Sequence, residues 1–258
     1  MRRVGLLLAL AAALAAGAAV ATTQRVVGAI SQNRISITGG FVGSEIFVYG
    51  AIARDRFPED DADTLGIVVK VIGPAQPVTV RRKRRVNGVW INRESERIDS
   101  APSFYAVAAT GPLFETISHT EDIRHAVSLE RHLRLVGAQG GADAREEFLE
   151  ALVRLRREEG LYVQRPGGIE LVEDVLFRTS FKLPSNIVEG VYRARVLLTR
   201  DREVIDMFEA EIGVRKEGLE RLMFDASRQQ PFFYALASIA IALGAGLLAS
   251  EVFRLFRA

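Results

Sequence analysis

Apolar and polar residues alternate with a period of two through much of the middle of the chain, the pattern of strands with one buried face. Residues 34–52, RISITGGFVGSEIFVYGAI, alternate about a Gly-Gly turn and predict two strands of an antiparallel pair. Residues 65–74, LGIVVKVIGP, form a continuous apolar run bounded by Gly and Pro, which predicts a central strand. Residues 78–86 and 89–92 flank Asn87-Gly88, the strongest short-range hairpin signal. PSFYAVAATGP, residues 102–112, predicts another strand. Further alternating runs at 175–183, 191–199 and 204–214 predict a second antiparallel unit. In the middle run Tyr192, Ala194, Val196 and Leu198 share a face opposite Arg193 and Arg195. Short strands at such intervals predict a mainly β protein built of antiparallel immunoglobulin-like β-sandwich units.

Helical periods interrupt this pattern in a few places. Residues 143–160 predict a connecting helix: Asp143 with Glu146 fits a capping box, Phe148, Ala151, Leu152 and Leu155 share a face, and Gly160 closes the end. Residues 113–136 read as mixed. Leu219, Leu222, Met223 and Ala226 predict a short amphipathic helix on a membrane surface. After it, residues 231–250 carry no charge and are long enough to cross a hydrocarbon core as a C-terminal transmembrane helix.

The first 21 residues, MRRVGLLLALAAALAAGAAVA, have a basic start, a Leu/Ala-rich stretch and a small-x-small end, the pattern of a cleaved secretory signal. The resulting division is a signal peptide at 1–21, a β-sandwich domain at 22–142, the connecting helix at 143–160 and a second β unit at 161–215. A juxtamembrane helix at 216–230, a transmembrane helix at 231–253 and a tail at 254–258 complete it. At about 55 residues the second unit is marginal for a core of its own, so it is expected to pack on the first unit or on the helix. The signal would carry the large domain across a bacterial inner membrane into the periplasm, leaving the tail in the cytoplasm. Arg215, Lys216, Arg221 and Arg228 against Arg254 and Arg257 reverse the usual positive-inside count. The signal decides the orientation here, because large domains translocate largely regardless of charge.

The chain has 34 Lys and Arg against 32 Asp and Glu, and loss of Arg2 and Arg3 with the signal leaves 32 against 32. The run Arg81, Arg82, Lys83, Arg84, Arg85, followed by Trp90, is therefore a local feature of a nearly neutral protein. On an exported strand it excludes nucleic acid as a partner and fits edge protection, pairing with the acidic loop at Glu59, Asp60, Asp61 and Asp63, or contact with anionic lipid. Alternation divides its charges between two faces, and Trp90 reads as a core or interface anchor. There is no cysteine, which excludes thiol chemistry and disulfides, and no Asn-x-Ser/Thr sequon, which suits a periplasm.

His119, His125 and His132 fall within 14 residues and are candidates for a metal site, although their spacing matches no established zinc motif; the acidic loop at Glu59, Asp60, Asp61 and Asp63 is a calcium candidate that lacks the EF-hand pattern and reads first as a solvated loop. No phosphate-binding glycine loop, G-x-S-x-G elbow or cofactor motif is present, so no cofactor is expected. In the spanning segment Ser238, Ala242, Gly246 and Ser250 recur every fourth residue, a stripe that permits close helix packing in lipid.

Taken in order, VRRKRRVNGVWINRES, APSFYAVAATGPL, FLEALVRLRREEGLY, LFRTSFKLPSNIVEGVYRARVLLTRDREVI and the C-terminal span resemble the alphaproteobacterial putative transmembrane protein family, from about Arg34 to the C-terminus. The resemblance implies a membrane protein of about this size with a single C-terminal transmembrane helix, and it brings no catalytic residues. The family-like positions are Lys83, Gly88, Trp90, Asn92, Pro102, Ser103, Phe104 and Tyr105. The expectation is a binding or accessory subunit in the bilayer, partnered by another integral membrane protein or by itself through the spanning helix. The alternatives are a periplasmic ligand- or metal-binding protein or metal-dependent hydrolase using the histidines, and an envelope protein contacting anionic lipid or cell-wall polymer through the basic hairpin.

Overall fold

The computed structural model describes residues 24–54, 65–135, 141–173, 175–217 and 219–255. The signal segment, the acidic loop at 59–63 and Gly140 lie outside them. The strands are β1 (Gln24–Ile30), β2 (Arg34–Ile37), β3 (Ser44–Arg54), β4 (Leu65–Ile72), β5 (Ala75–Val86), β6 (Val89–Pro102) and β7 (Tyr105–Ala109), then β8 (Tyr162–Pro166), β9 (Glu170–Val172), β10 (Leu176–Leu183), β11 (Gly190–Arg200) and β12 (Glu203–Lys216). Between β7 and β8 lie α1 (Leu113–Thr116), α2 (His119–His125), a 3-10 turn (Leu129–His132) and α3 (Gly141–Glu158). The chain ends in α4 (Leu219–Gln229) and α5 (Pro231–Leu255).

Two sheets pack face to face, ordered β1-β3-β10-β9 and β2-β12-β11-β4-β7-β8, while β5 and β6 form a separate ribbon. This is immunoglobulin-like topology: β1-β3-β10-β9 opposes β12-β11-β4 as the ABED and GFC sheets do, and β2 runs parallel to β12 in the second sheet. Alternation places Ile46, Val48, Ile52, Phe177, Phe181 and Leu183 of the first sheet against Ile67, Val69, Val71, Tyr192, Val196 and Leu198 of the second, in one buried cluster. Each such apolar side chain contributes on the order of 2 kcal/mol by leaving water. The Tyr192 hydroxyl donates to Val188 O at 2.8 Å, the tyrosine corner characteristic of this fold.

Both sheets draw strands from either side of α3. β3 pairs with β10 and β4 with β11, so the segments 22–142 and 161–215 share the same two sheets. Residues 34–52 differ from their expected pairing. β2 and β3 are not neighbours: β3 lies between β1 and β10, and β2 lies beside β12. The cause is β1, which occupies the antiparallel place next to β3 and sends the chain across to the other sheet at β2. The return passes Gly43 at φ +118°, where an added Cβ would lie 2.6 Å from Leu183 O, so only glycine serves there.

β4 is buried on both faces. Its inner face belongs to the sandwich, and its outer face lies under the 113–132 segment, which covers β4 and β7. α3 instead packs on the root of the ribbon, where Phe148 and Leu152 meet Val80, Ile98, Ala101 and Leu135 in a small second cluster. Leu155, expected on the same buried face, is exposed. Gly160 at φ +71° follows the helix, and Leu161 N donates back to Arg156 O at 2.8 Å, closing its C-terminus.

Candidate functional site

β5 and β6 join the sandwich without a break. Ile72 pairs with Tyr105 at the end of the β4–β7 ladder, Gly73 N donates to Phe104 O at 2.8 Å, Ser103 N donates to Pro74 O at 2.9 Å, and Ala75 then pairs with Pro102. The ribbon is thus a continuation of β4 and β7 beyond the sandwich, an arm whose twelve-residue β5 spans about 40 Å at the usual rise. The family-like positions Pro102 to Tyr105 are its junction: Tyr162 donates from its hydroxyl to Pro102 O at 2.8 Å, Phe104 is fully buried beside Tyr192, and the Tyr105 hydroxyl donates to Val127 O at 2.7 Å.

Asn87 at φ 49° and Gly88 at φ 87° make the two-residue turn at the tip. A bulge at Arg82/Lys83 sets the register beyond the root. Arg85 then opposes Trp90 and Lys83 opposes Asn92, so Arg81, Lys83, Arg85 and Trp90 share one face, while Arg82, Arg84, Val89 and Ile91 lie on the other. Arg82 is a structural residue. It sits 5.3 Å above the Phe148 ring and pairs with Glu94 and Glu147. Arg84 reaches Glu94 at 3.8 Å, whereas Lys83, Arg85 and Arg93 have no carboxylate partner among the described residues. Trp90 is 65% exposed, flanked by exposed Val89 and Ile91. It is no part of the core, because the arm projects past the described elements that could cover it.

The three histidines do not converge. His119 lies 3.4 Å from an Arg131 nitrogen, His125 3.3 Å from Glu121, and His132 2.7 Å from Ala126 O. Among the described residues no three His, Asp or Glu side chains are grouped to hold a metal ion. What the segment builds is a buried polar joint around Ala126, the left-handed cap of α2 at φ 46°. Lys70, 1% exposed, rises from the outer face of β4 and donates to His125 O and Ala126 O at 3.2 and 2.6 Å. A cation at a helix C-terminus satisfies carbonyls that have no partner within the helix.

Burial, helped by the charge of Arg195, lowers the Lys70 ammonium to about 8 against the opposing pull of Asp122 and Glu209. Burial and the nearby Lys70 charge hold the His132 imidazole near 4. Burial alone would raise Asp122, but the backbone and hydroxyl of Ser128 and the Arg131 guanidinium hold it below its ordinary value. Sequence reasoning missed this joint, although its signal is the single charge in the apolar run LGIVVKVI.

A second exposed surface lies on the outer face of β1-β3-β10-β9. Val27, Phe47, Tyr49, Val172 and Leu176 stand exposed there, and all but Phe47 border a shallow depression of about 570 Å³. Such a patch on four adjacent strands is larger than the scattered apolar residues of an ordinary surface.

In α5, residues 231–249 are long and apolar enough to cross a membrane, and none of that stretch is buried within the chain. Ser238 donates back to Tyr234 O at 2.8 Å, and a Cβ built on Gly244 or Gly246 would meet nothing within 4 Å. Ala242 is exposed on the same helix, and Ser250 continues its register. No curated protein and no solved structure matches the chain. A family model described as "Putative transmembrane protein (Alph_Pro_TM)" matches residues 25–255, from the first strand of the sandwich to the end of the apolar helix, and the chain belongs to that family.

Proposed function

We propose that this protein is an accessory subunit of a membrane assembly: a single-pass protein of the bacterial inner membrane that holds an immunoglobulin-like domain in the periplasm against another integral membrane protein. The observation that carries this reading is the apolar outer face of the four-stranded sheet. Val27, Phe47, Tyr49, Val172 and Leu176 come from four strands, and no other part of the described chain covers them. A tethered domain meets partners in the same membrane at high local concentration, so a modest patch suffices for association. The stripe of Ser238, Ala242, Gly246 and Ser250 offers a second contact in the bilayer, where close packing drives helix association. The Leu/Ala-rich start of the sequence supports the periplasmic orientation.

Purification of the full chain in mild detergent with chemical cross-linking tests the reading. A second membrane protein is expected to co-purify and to be lost when Tyr49→Glu and Leu176→Glu place charges on the sheet face. A strictly monomeric protein without a cross-linked partner would overturn it.

A further inference from the structure

The arm does not belong to the surface just described, and its position in the fold points to a different contact. β4 runs toward the end of the sandwich where β11 begins and β12 finishes: Ile72 pairs with Arg193, Gly190 pairs with Val214, and a Cβ on Gly190 would lie 2.8 Å from Pro74. Pro74 is the foot of the arm, and Val214 precedes by a few residues the point at which the chain leaves for the membrane. The arm and the membrane helix therefore leave the sandwich from the same end. From Lys216 to Pro231 the connection is mostly α4, whose eleven residues rise only about 16 Å. An arm of about 40 Å rooted beside it is long enough to reach the bilayer surface.

The chemistry of the tip fits that surface. Residues 83–93, KRRVNGVWINR, contain four cations and no anion, together with Val86, Val89, Trp90 and Ile91. Trp90, Val89 and Ile91 are exposed, and beyond the contacts of Arg82 with Phe148 and Glu147 no side-chain contact holds the tip to the rest of the chain among the described residues. Cations interleaved with an exposed tryptophan and aliphatic side chains suit a layer that is anionic outside and apolar beneath, where the indole ring settles between the two. Exposed Arg215 and Lys216 add positive charge at the same end of the sandwich.

We propose that the arm tip is a membrane-surface element. It rests on the anionic headgroups of the bilayer that the chain's own helix enters. Lys83, Arg84, Arg85 and Arg93 engage lipid phosphates, and Trp90, Val89 and Ile91 lie in the interfacial layer. This contact fixes the tilt of the sandwich over the membrane, and it does not depend on the identity of any protein partner.

Trp90 is the only tryptophan in the chain, so its fluorescence reports on the tip alone. The experiment uses the full chain reconstituted into phosphatidylcholine vesicles with or without phosphatidylglycerol, with brominated acyl chains as the lipid quencher and acrylamide as the aqueous one. The expected result in anionic vesicles is a blue-shifted emission, quenching by bromolipid and shielding from acrylamide, all reversed by high salt. The R84Q/R85Q variant, changed only at exposed positions, is expected to lower the equilibrium constant for surface binding of the tip about 25-fold, at about fivefold per cation removed. Emission typical of water in both vesicle types would overturn the proposal, as would bromolipid quenching that ignores lipid charge. Shielding from acrylamide without bromolipid quenching would mean that protein covers the tip, and would overturn it equally.

Discussion

Replacing Phe148 with alanine removes the largest side chain from the small cluster between α3 and the root of the arm. Phe148 is 5% exposed, packed with Val80, Ile98 and Leu152, and its ring carries the Arg82 guanidinium. A buried Phe→Ala change costs about 3–5 kcal/mol, and the lost cation–π contact adds roughly 0.5 kcal/mol at so exposed an arginine. The cluster is separate from the sandwich core and shares only the half-buried Leu133 with it, so the loss should fall on the arm root and α3. Taking about 3 kcal/mol as the floor, the local opening equilibrium rises roughly a hundredfold. Amide hydrogen exchange read by mass spectrometry checks this: peptides covering α3 and residues 76–82 should exchange far faster, while β4 and β11 keep their protection. Uniform acceleration across β4 and β11 would refute the separation of the two clusters, and unchanged exchange at the root would refute the role of Phe148.

Three further outcomes follow from the geometry. The folded pKa of His132 lies below its unfolded value of 6.5, near 4, so the unfolded chain binds more protons between these values. Stability is fully present above about 6.5 and is lost as pH falls toward 4, by about 2 kcal/mol once the ring's partial exposure is allowed for; thermal melts across this range should show the loss, and His132→Gln should flatten it. Tyr192→Phe removes the hydroxyl bonded to Val188 O and should lower stability by about 1–3 kcal/mol, read from the urea midpoint at unchanged slope. Gly50→Ala places a Cβ 2.2 Å from Val27 O, backbone that cannot step aside, so it should push β1 away from β3 and cost more than the usual 1–3 kcal/mol of overpacking; a variant that melts like the parent would contradict the pairing.

Local patterns in the sequence carried the elements whose causes are local. The Asn87-Gly88 turn forms where the two residues place it, because both must take positive φ and few other pairs do so readily. The alternation at 191–199 survives as β11, and the helix expected at 143–160 forms as α3, shifted at its ends and with Leu155 exposed rather than buried. Pairing was less legible, since register and partner depend on strands far away in the chain. β2 lies beside β12, some 180 residues on, and β1 escaped notice because QRVVGAI is short and interrupted by glycine. β8 and β9 are short edge strands with little pattern of their own.

The candidate sites divide in the same way. The charge and tryptophan of the arm stood in plain view, but their exposure did not, because it follows from the ribbon running past the sandwich. The histidines drew notice by proximity in sequence, whereas Lys70, the residue that organises their segment, looked like part of an apolar strand. Its partners are backbone carbonyls, which leave no trace in residue identity.

The central claim is that the sheet face of Val27, Tyr49 and Leu176 docks a protein in the same membrane. The most direct test is a photo-activatable cross-linking residue placed at Leu176 in the full chain in intact cells, with Asp201, on the loop between β11 and β12, as the control position. The account predicts one discrete adduct with a second integral membrane protein from Leu176 and none from Asp201. Equal, diffuse labelling from both positions, or no adduct from Leu176, would contradict it.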